Sequence, residues 1–202
     1  MGRKIAVLGG SFNPPHYGHL LVAKEVLKHF DCDEVWLMPC FKQAEEKPII
    51  RATHRLAMTR LAVEFLHNPR IKASDFEVRF LKRKNYTADT VKLLKKRFPK
   101  DEFVWVFGSE LVGEFLHWGK WRELRKLLPL VIYPRPGFKK PSQKFLDSLK
   151  AKLVFMPSRV RKSGISSTAV RSLLLKRDAR VEKLVPPAVL SFVRKKKLYG
   201  WR

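Results

Sequence analysis

Ile5 to Leu8 is a short, wholly apolar run that stops at Gly9-Gly10. Such a run reads as a strand buried on both faces of a parallel sheet, because a half-exposed strand would alternate apolar and polar side chains. Helical spacing follows: Leu20, Ala23, Leu27 and Phe30 recur at three and four residues and give one apolar face from about Gly18 to Phe30. The unit strand, loop, helix then recurs. "EVWLM" (34–38), "FVWVF" (103–107), "LVIY" (130–133) and "LVF" (153–155) are strand candidates, and Met58, Leu61, Ala62, Phe65 and Leu66 mark the core face of a helix. Further helices are expected around 88–98, 110–127 with a break near Gly119, 142–150, 167–176 and 187–196. Alternation of this kind predicts an α/β fold with a doubly wound parallel sheet. The segment "PRPGFKKPSQK" (134–144) is linker-like, yet a strand candidate follows it, so residues 1–202 read as a single domain. Roughly the last thirty residues form a small C-terminal helical appendage.

The 202 residues carry 43 Lys and Arg against 18 Asp and Glu, a net charge of +25. That excess favours anionic partners without choosing among nucleotides, phosphorylated metabolites, RNA or acidic membranes, and a solvated basic surface accounts for it equally well. A nucleic-acid-binding protein is one reading of the runs "KLLKKR" (92–97) and "RKKK" (194–197); no RNA-binding aromatic signature accompanies them, and they read better as solvated helix faces. Cys32 and Cys40 lack metal-ligand spacing and read as reduced thiols. There is no signal-peptide core and no window of roughly 18 apolar residues, so a cytoplasmic protein is expected, with no membrane partner. The composition leaves a homo-oligomer open.

In an open α/β sheet the ligand sits beyond the carboxyl ends of the strands, and the loop after the first strand lines it. Here that loop is "GGSFNPPHYGH". Gly9 and Gly10 would let the backbone approach a phosphate, and the helix from Gly18 would aim its amide dipoles at an anion. The spacing is neither GxGxxG nor a Gly-Lys-Ser/Thr P-loop. His16 and His19, three apart at the helix entrance, can point the same way and donate to phosphate oxygens whether neutral or charged. Far downstream, Ser166 or Ser167 is a good N-cap for a helix bearing Val170, Leu173 and Leu174, with Arg171 one turn in, an arrangement that can cradle an anion.

"GSFNPPHYGH", with His16-Tyr17-Gly18-His19, resembles the signature of the HxGH nucleotidyltransferase superfamily, and "ISSTAVR" (165–171) resembles its second signature, ISSTxIR. Within that superfamily the chain is most similar to the nicotinate-nucleotide adenylyltransferases. "NYTADT" (85–90) resembles their SYTxDT, "FGSELVGEFLHWGKW" (107–121) their Gly-x-Asp followed by a Trp, and "YPRPG" (133–137) their RPG. The resemblance implies a Rossmann-like nucleotidyltransferase fold and adenylyl transfer from ATP to nicotinate mononucleotide, giving the deamido dinucleotide and pyrophosphate. It implies that His16, His19 and Arg171 hold the triphosphate, with Mg²⁺ bound to ATP and no dedicated protein ligands. It assigns Gly9, Gly10, Ser11, Phe12, Gly18, Gly108, Glu110, Ile165, Ser166, Ser167 and Thr168 to ATP binding.

On the acceptor side it implies that Trp118 stacks on the pyridine ring and that Tyr86 and Thr87 present backbone amides to the carboxylate, with Asn13 and Arg135 as further substrate contacts. Thr87 could instead cap the helix running to Phe98. Two departures bear on recognition. Gly108-Ser109-Glu110 stands where the branch has Gly-x-Asp, which moves the ribose role to a longer carboxylate or to another group. "PCFKQAEEKP" replaces Pro-Pro-His-Lys and leaves Lys42 or Lys47 as candidate phosphate lysines. An acceptor that is nicotinamide mononucleotide, or either form, is the alternative these departures motivate.

Overall fold

In the computed structural model the described residues are 2–41, 49–81, 85–135, 137–139, 141–149, 151–153 and 165–201. Among them six parallel strands form one sheet. β1 (Lys4–Gly10), β2 (Glu34–Pro39) and β3 (Ile71–Ala73) run outward on one side, and β4 (Glu102–Gly108), β5 (Leu130–Tyr133) and β6 (Ala151–Leu153) on the other, in the order 3-2-1-4-5-6. The order therefore reverses between β1 and β4, which pair from Lys4 opposite Glu102 to Leu8 opposite Val106. A ligand crevice is expected beyond the carboxyl ends of these two strands.

The period of two along the strands divides the core into two layers. Ala6, Leu8, Val35, Leu37, Val104, Val106 and Val131 belong to one apolar cluster, and Ile5, Val7, Trp36, Met38, Phe103, Trp105, Phe107, Leu130 and Ile132 to the other. The first layer is covered by α1 (Tyr17–His29) and α2 (Ala52–Glu64), the second by α3 (Phe76–Phe80), α4 (Thr87–Arg97), α5 (Val112–Phe115), α6 (Trp121–Leu127) and α7 (Gln143–Leu149). Helix is interrupted from Leu116 to Lys120, where the break near Gly119 was expected.

The C-terminal segment is helical, with α8 (Ser167–Leu175), a 3₁₀ turn (Ala179–Lys183) and α9 (Pro187–Lys195). Its residues Val170, Leu174, Val181, Val185, Val189, Leu190 and Val193 join the first core layer, so this segment closes the sheet face beside α1 and α2. β3 and α3 escaped sequence reading because three and five residues are too few to show a period. The expected face of α2 is corrected: its buried residues are Ala52, Arg55, Leu56, Met58, Thr59 and Ala62, whereas Leu61 and Leu66 are half-buried and Phe65 is 45% exposed. Phe65 follows the last helical residue as the C-cap of α2. The basic runs within α4 and after Val193 are exposed at their charged positions, as solvated helix faces are. No helix among the described residues is long and apolar enough to cross a membrane, and Cys32 and Cys40 are free thiols.

Candidate active site

Beyond β1 the chain makes a tight, buried path. Phe12 adopts φ 46° while 1% exposed, and the Asn13–Pro14 peptide is cis. His16 is the extended N-cap of α1. Its backbone N–H donates to Nδ1 of His19 at 3.2 Å, and the two imidazoles stack with centroids 3.7 Å apart. With Nδ1 accepting, the proton of neutral His19 sits on Nε2, which is left as a donor. Gly18 is explained by the same geometry: a Cβ there would lie 2.9 Å from His16 Nδ1. At Gly9 a Cβ would meet the Trp105 indole at 2.3 Å, so the missing side chain is also a packing requirement of β4.

Both histidines are neutral near pH 7. Burial, then the neighbouring His19 and Arg135, hold His16 well below the usual imidazole range. Burial and Arg135 push His19 down to about 3. Since each neutral ring can donate through one nitrogen only, the positive potential for an anion comes from arginines. Nδ1 of His16 is buried without a hydrogen-bond partner.

The late signature meets this loop directly. Ser166 caps α8 by accepting from the Ala169 N–H at 3.2 Å, which selects it over Ser167 as the N-cap. Ser167 Oγ instead donates to the Pro14 carbonyl at 3.0 Å. Arg171 Nη1 donates to the Asn13 carbonyl at 3.0 Å, and its Nη2 to Thr168 Oγ at 3.1 Å. Asn13 is 2% exposed and its Oδ1 accepts from the Tyr199 hydroxyl at 2.8 Å. Ile165 lies against Gly18, 3.6 Å from where a Cβ would stand. Segments 153 and 158 positions apart are thus bonded to each other around one loop.

At the end of β4 the carboxylate of Glu110 folds back over Gly108, whose Cβ would stand 2.0 Å from Oε2. Its Oε1 accepts from Arg135 Nη1, and the Arg135 N–H donates to Ser109 Oγ at 2.8 Å. Oε2 is buried and unpartnered, an acceptor available to a hydroxyl. The Arg135 charge is close enough to depress both histidines.

The acceptor motifs also converge. Tyr86, not Thr87, is the N-cap of α4, and its N–H donates to the Asp89 carboxylate at 3.4 Å. Thr87 is the first helical residue, so the capping alternative fails. The Tyr86 ring is 41% exposed and lies against Gly119, where a Cβ would be 2.1 Å from Cε1; Lys120 bonds Asp89 at 2.6 Å. Trp118, half-buried, packs on Phe107 and Phe115 at 5.6 and 5.3 Å. Lys42 and Lys47 lie outside the described residues.

A cytidylyltransferase-like family model matches residues 7–173. A probable nicotinate-nucleotide adenylyltransferase of Oceanobacillus iheyensis is 35% identical over 202 residues, covering 98% of both chains. The chain belongs to the nicotinate-nucleotide adenylyltransferase family. Another probable member, from Bacillus pumilus, is 35% identical over 199 residues and 98% of both chains. Among solved structures, nicotinic acid mononucleotide adenylyltransferase of Plasmodium falciparum complexed with NaAD has the same fold, with a TM-score of 0.83, 23% identity and coverage of 99% and 98%.

In this family member two side chains of the site region were missed by sequence reading. Arg55 is fully buried in α2 and donates to four carbonyls: Ile50 (3.0 Å), Ser11 (2.8 Å), Cys40 (2.6 Å) and Phe41 (2.8 Å). Glu77 in α3, 6% exposed, accepts from the Phe41 N–H at 3.1 Å and from Thr90 Oγ at 2.7 Å. Burial pushes its carboxyl up, while the Thr90 and Phe41 donors pull it down. An arginine inside an apolar helical stripe was the available signal for Arg55, since a buried guanidinium must be fully hydrogen-bonded. Among the described residues no group of three or more His, Cys, Asp or Glu is placed to hold a metal ion.

Proposed function

We propose that the protein transfers the adenylyl group of ATP to nicotinate mononucleotide in the cytoplasm, forming deamido-NAD and releasing pyrophosphate, as a step of NAD biosynthesis. A phosphate oxygen of the mononucleotide attacks the α-phosphorus; the new P–O bond forms as the bond to the β-phosphate bridging oxygen breaks, and the electron pair leaves with pyrophosphate. No side chain acts as nucleophile. Rate enhancement comes from alignment and from charge stabilisation by fixed donors. Mg²⁺ arrives with ATP as part of the substrate and neutralises triphosphate charge.

The observation that carries this reading is the direct bonding of Ser167 to Pro14 and of Arg171 to Asn13, which brings both nucleotidyltransferase signatures to one crevice. His16 and His19 supply neutral N–H donors to the triphosphate, and Arg135 and Arg171 the positive potential. Glu110 Oε2 accepts from a ribose hydroxyl. The exposed Tyr86 and the half-buried Trp118 flank the nicotinate ring, with the backbone amide of Thr87 donating to its carboxylate.

The test incubates purified protein with ATP and Mg²⁺ and, separately, nicotinate mononucleotide, nicotinamide mononucleotide or phosphopantetheine, and quantifies pyrophosphate and dinucleotide. Turnover with pyridine nucleotides alone, faster with the acid, is expected. Equal rates with acid and amide would replace the acceptor assignment by dual specificity, and no turnover with either would end the proposal.

A further inference from the structure

The backbone of Phe41 is gripped on both sides by buried charge. Its carbonyl accepts from Arg55 and its N–H donates to Glu77. Neither side chain stops there. Arg55 reaches across to the carbonyl of Ser11 in the first loop, 44 positions away. Glu77 reaches Thr90 in α4, and Thr90 Oγ in turn accepts from Asn85 Nδ2 at 2.8 Å, one residue before Tyr86. A continuous hydrogen-bonded path thus runs Ser11, Arg55, Phe41, Glu77, Thr90, Asn85. Its two ends lie in the loop of the triphosphate signature and in the motif of the acceptor signature.

The path is costly to break at any link. A guanidinium that is fully buried cannot leave a carbonyl without orphaning a donor away from water, and the same holds for the carboxylate at Phe41. Low dielectric strengthens each bond and makes its neighbours respond to it. The path links Ser11 through Phe41 to the start of α4.

We propose that Arg55 and Glu77 are positioning residues that couple the two substrate sites, so that ATP and the pyridine mononucleotide strengthen each other's binding through the Phe41 backbone. The proposal rests on the adenylyl-transfer reading above. By linkage, the factor by which one ligand tightens the other is the same in both directions, which makes it measurable without turnover.

Calorimetry with nicotinate mononucleotide, in the presence and absence of a non-hydrolysable ATP analogue with Mg²⁺, gives that factor. About fivefold or more is expected for the native chain, in the usual range for coupled sites. In Glu77→Gln an amide nitrogen replaces one of the two accepting oxygens. The factor is then expected to fall below about twofold, while each ligand alone keeps its affinity within about threefold. A merely structural staple would weaken both ligands alone and leave the factor unchanged. Thr90→Val removes the hydroxyl link and leaves the Phe41 bond; it should lower the factor similarly and covers the case in which Glu77→Gln fails to fold. Retention of the native factor in the folded variant, or independent binding of the two ligands to the native chain, overturns the coupling and leaves the adenylyl-transfer reading intact. Failure of the native chain to bind either nucleotide defeats both.

Discussion

Around the first loop, the late segments are joined through hydroxyls and a partly exposed guanidinium: Ser167 to the Pro14 carbonyl, Arg171 to the Asn13 carbonyl, Tyr199 to the Asn13 amide, beside two uncharged imidazoles. Under the loop that follows β2 the join is instead made by a buried guanidinium and a buried carboxylate. The first arrangement keeps donors ready for a polyphosphate while the nearby charge, on Arg135 and Arg171, stays partly exposed. The second spends its charges on backbone groups and holds the scaffold. Loss of a side chain on the triphosphate side should therefore read out in catalysis, and loss of one under the β2 loop in stability or in communication between substrates.

Arg55→Met gives the sharpest break. Four backbone carbonyls lose a fully buried donor, so stability should fall by about 3 kcal/mol or more, seen as a large drop in denaturant midpoint. An unchanged midpoint would mean the guanidinium is not the scaffold. His19→Ala should do the reverse, lowering kcat by about a hundredfold or more for lost charge stabilisation while the chain stays folded. A variant with full kcat would remove the histidine from the chemistry.

Acid sensitivity separates the two regions as well. The His16 and His19 pKa values are depressed on folding, so below about pH 6.5 the unfolded chain binds protons that the folded chain refuses. Their contribution to stability is complete above that pH. It is lost as pH falls from about 6.5 towards the folded value of about 3 for His19, by about 1.4 kcal/mol per pH unit for His19, with His16 acting in the same direction. Thermal melts from pH 7.5 to 4.5 should show a shallower slope in a His16→Gln/His19→Gln variant, and an identical slope would contradict the neutral pair. Ser167→Ala should be the mildest, removing one neutral hydrogen bond worth about 1 kcal/mol and raising KM for ATP several-fold.

The doubly wound sheet and the loop chemistry were readable because long apolar strands and helical periods announce themselves, and because His16, Gly18 and His19 sit close together in the chain. Gly18 even has a local cause, the His16 ring above it. The Arg55 and Glu77 connection was not readable. Its partners at Ser11, Phe41 and Thr90 are far apart in sequence, and four of the carbonyl acceptors belong to the backbone, which carries no residue signature. Glu110 lies between these cases: the longer carboxylate was visible, but its pairing with Arg135 needed β4 and β5 side by side.

The most direct test of a shared triphosphate site is a double-mutant cycle on kcat/KM for ATP with His19→Ala and Arg171→Ala. Groups acting on one ligand as a unit lose less together than the product of their separate losses. The expected coupling is about 1 kcal/mol or more, in the range for residues sharing a partner. Strictly additive losses would contradict the convergence of the early loop and the late helix on a single triphosphate.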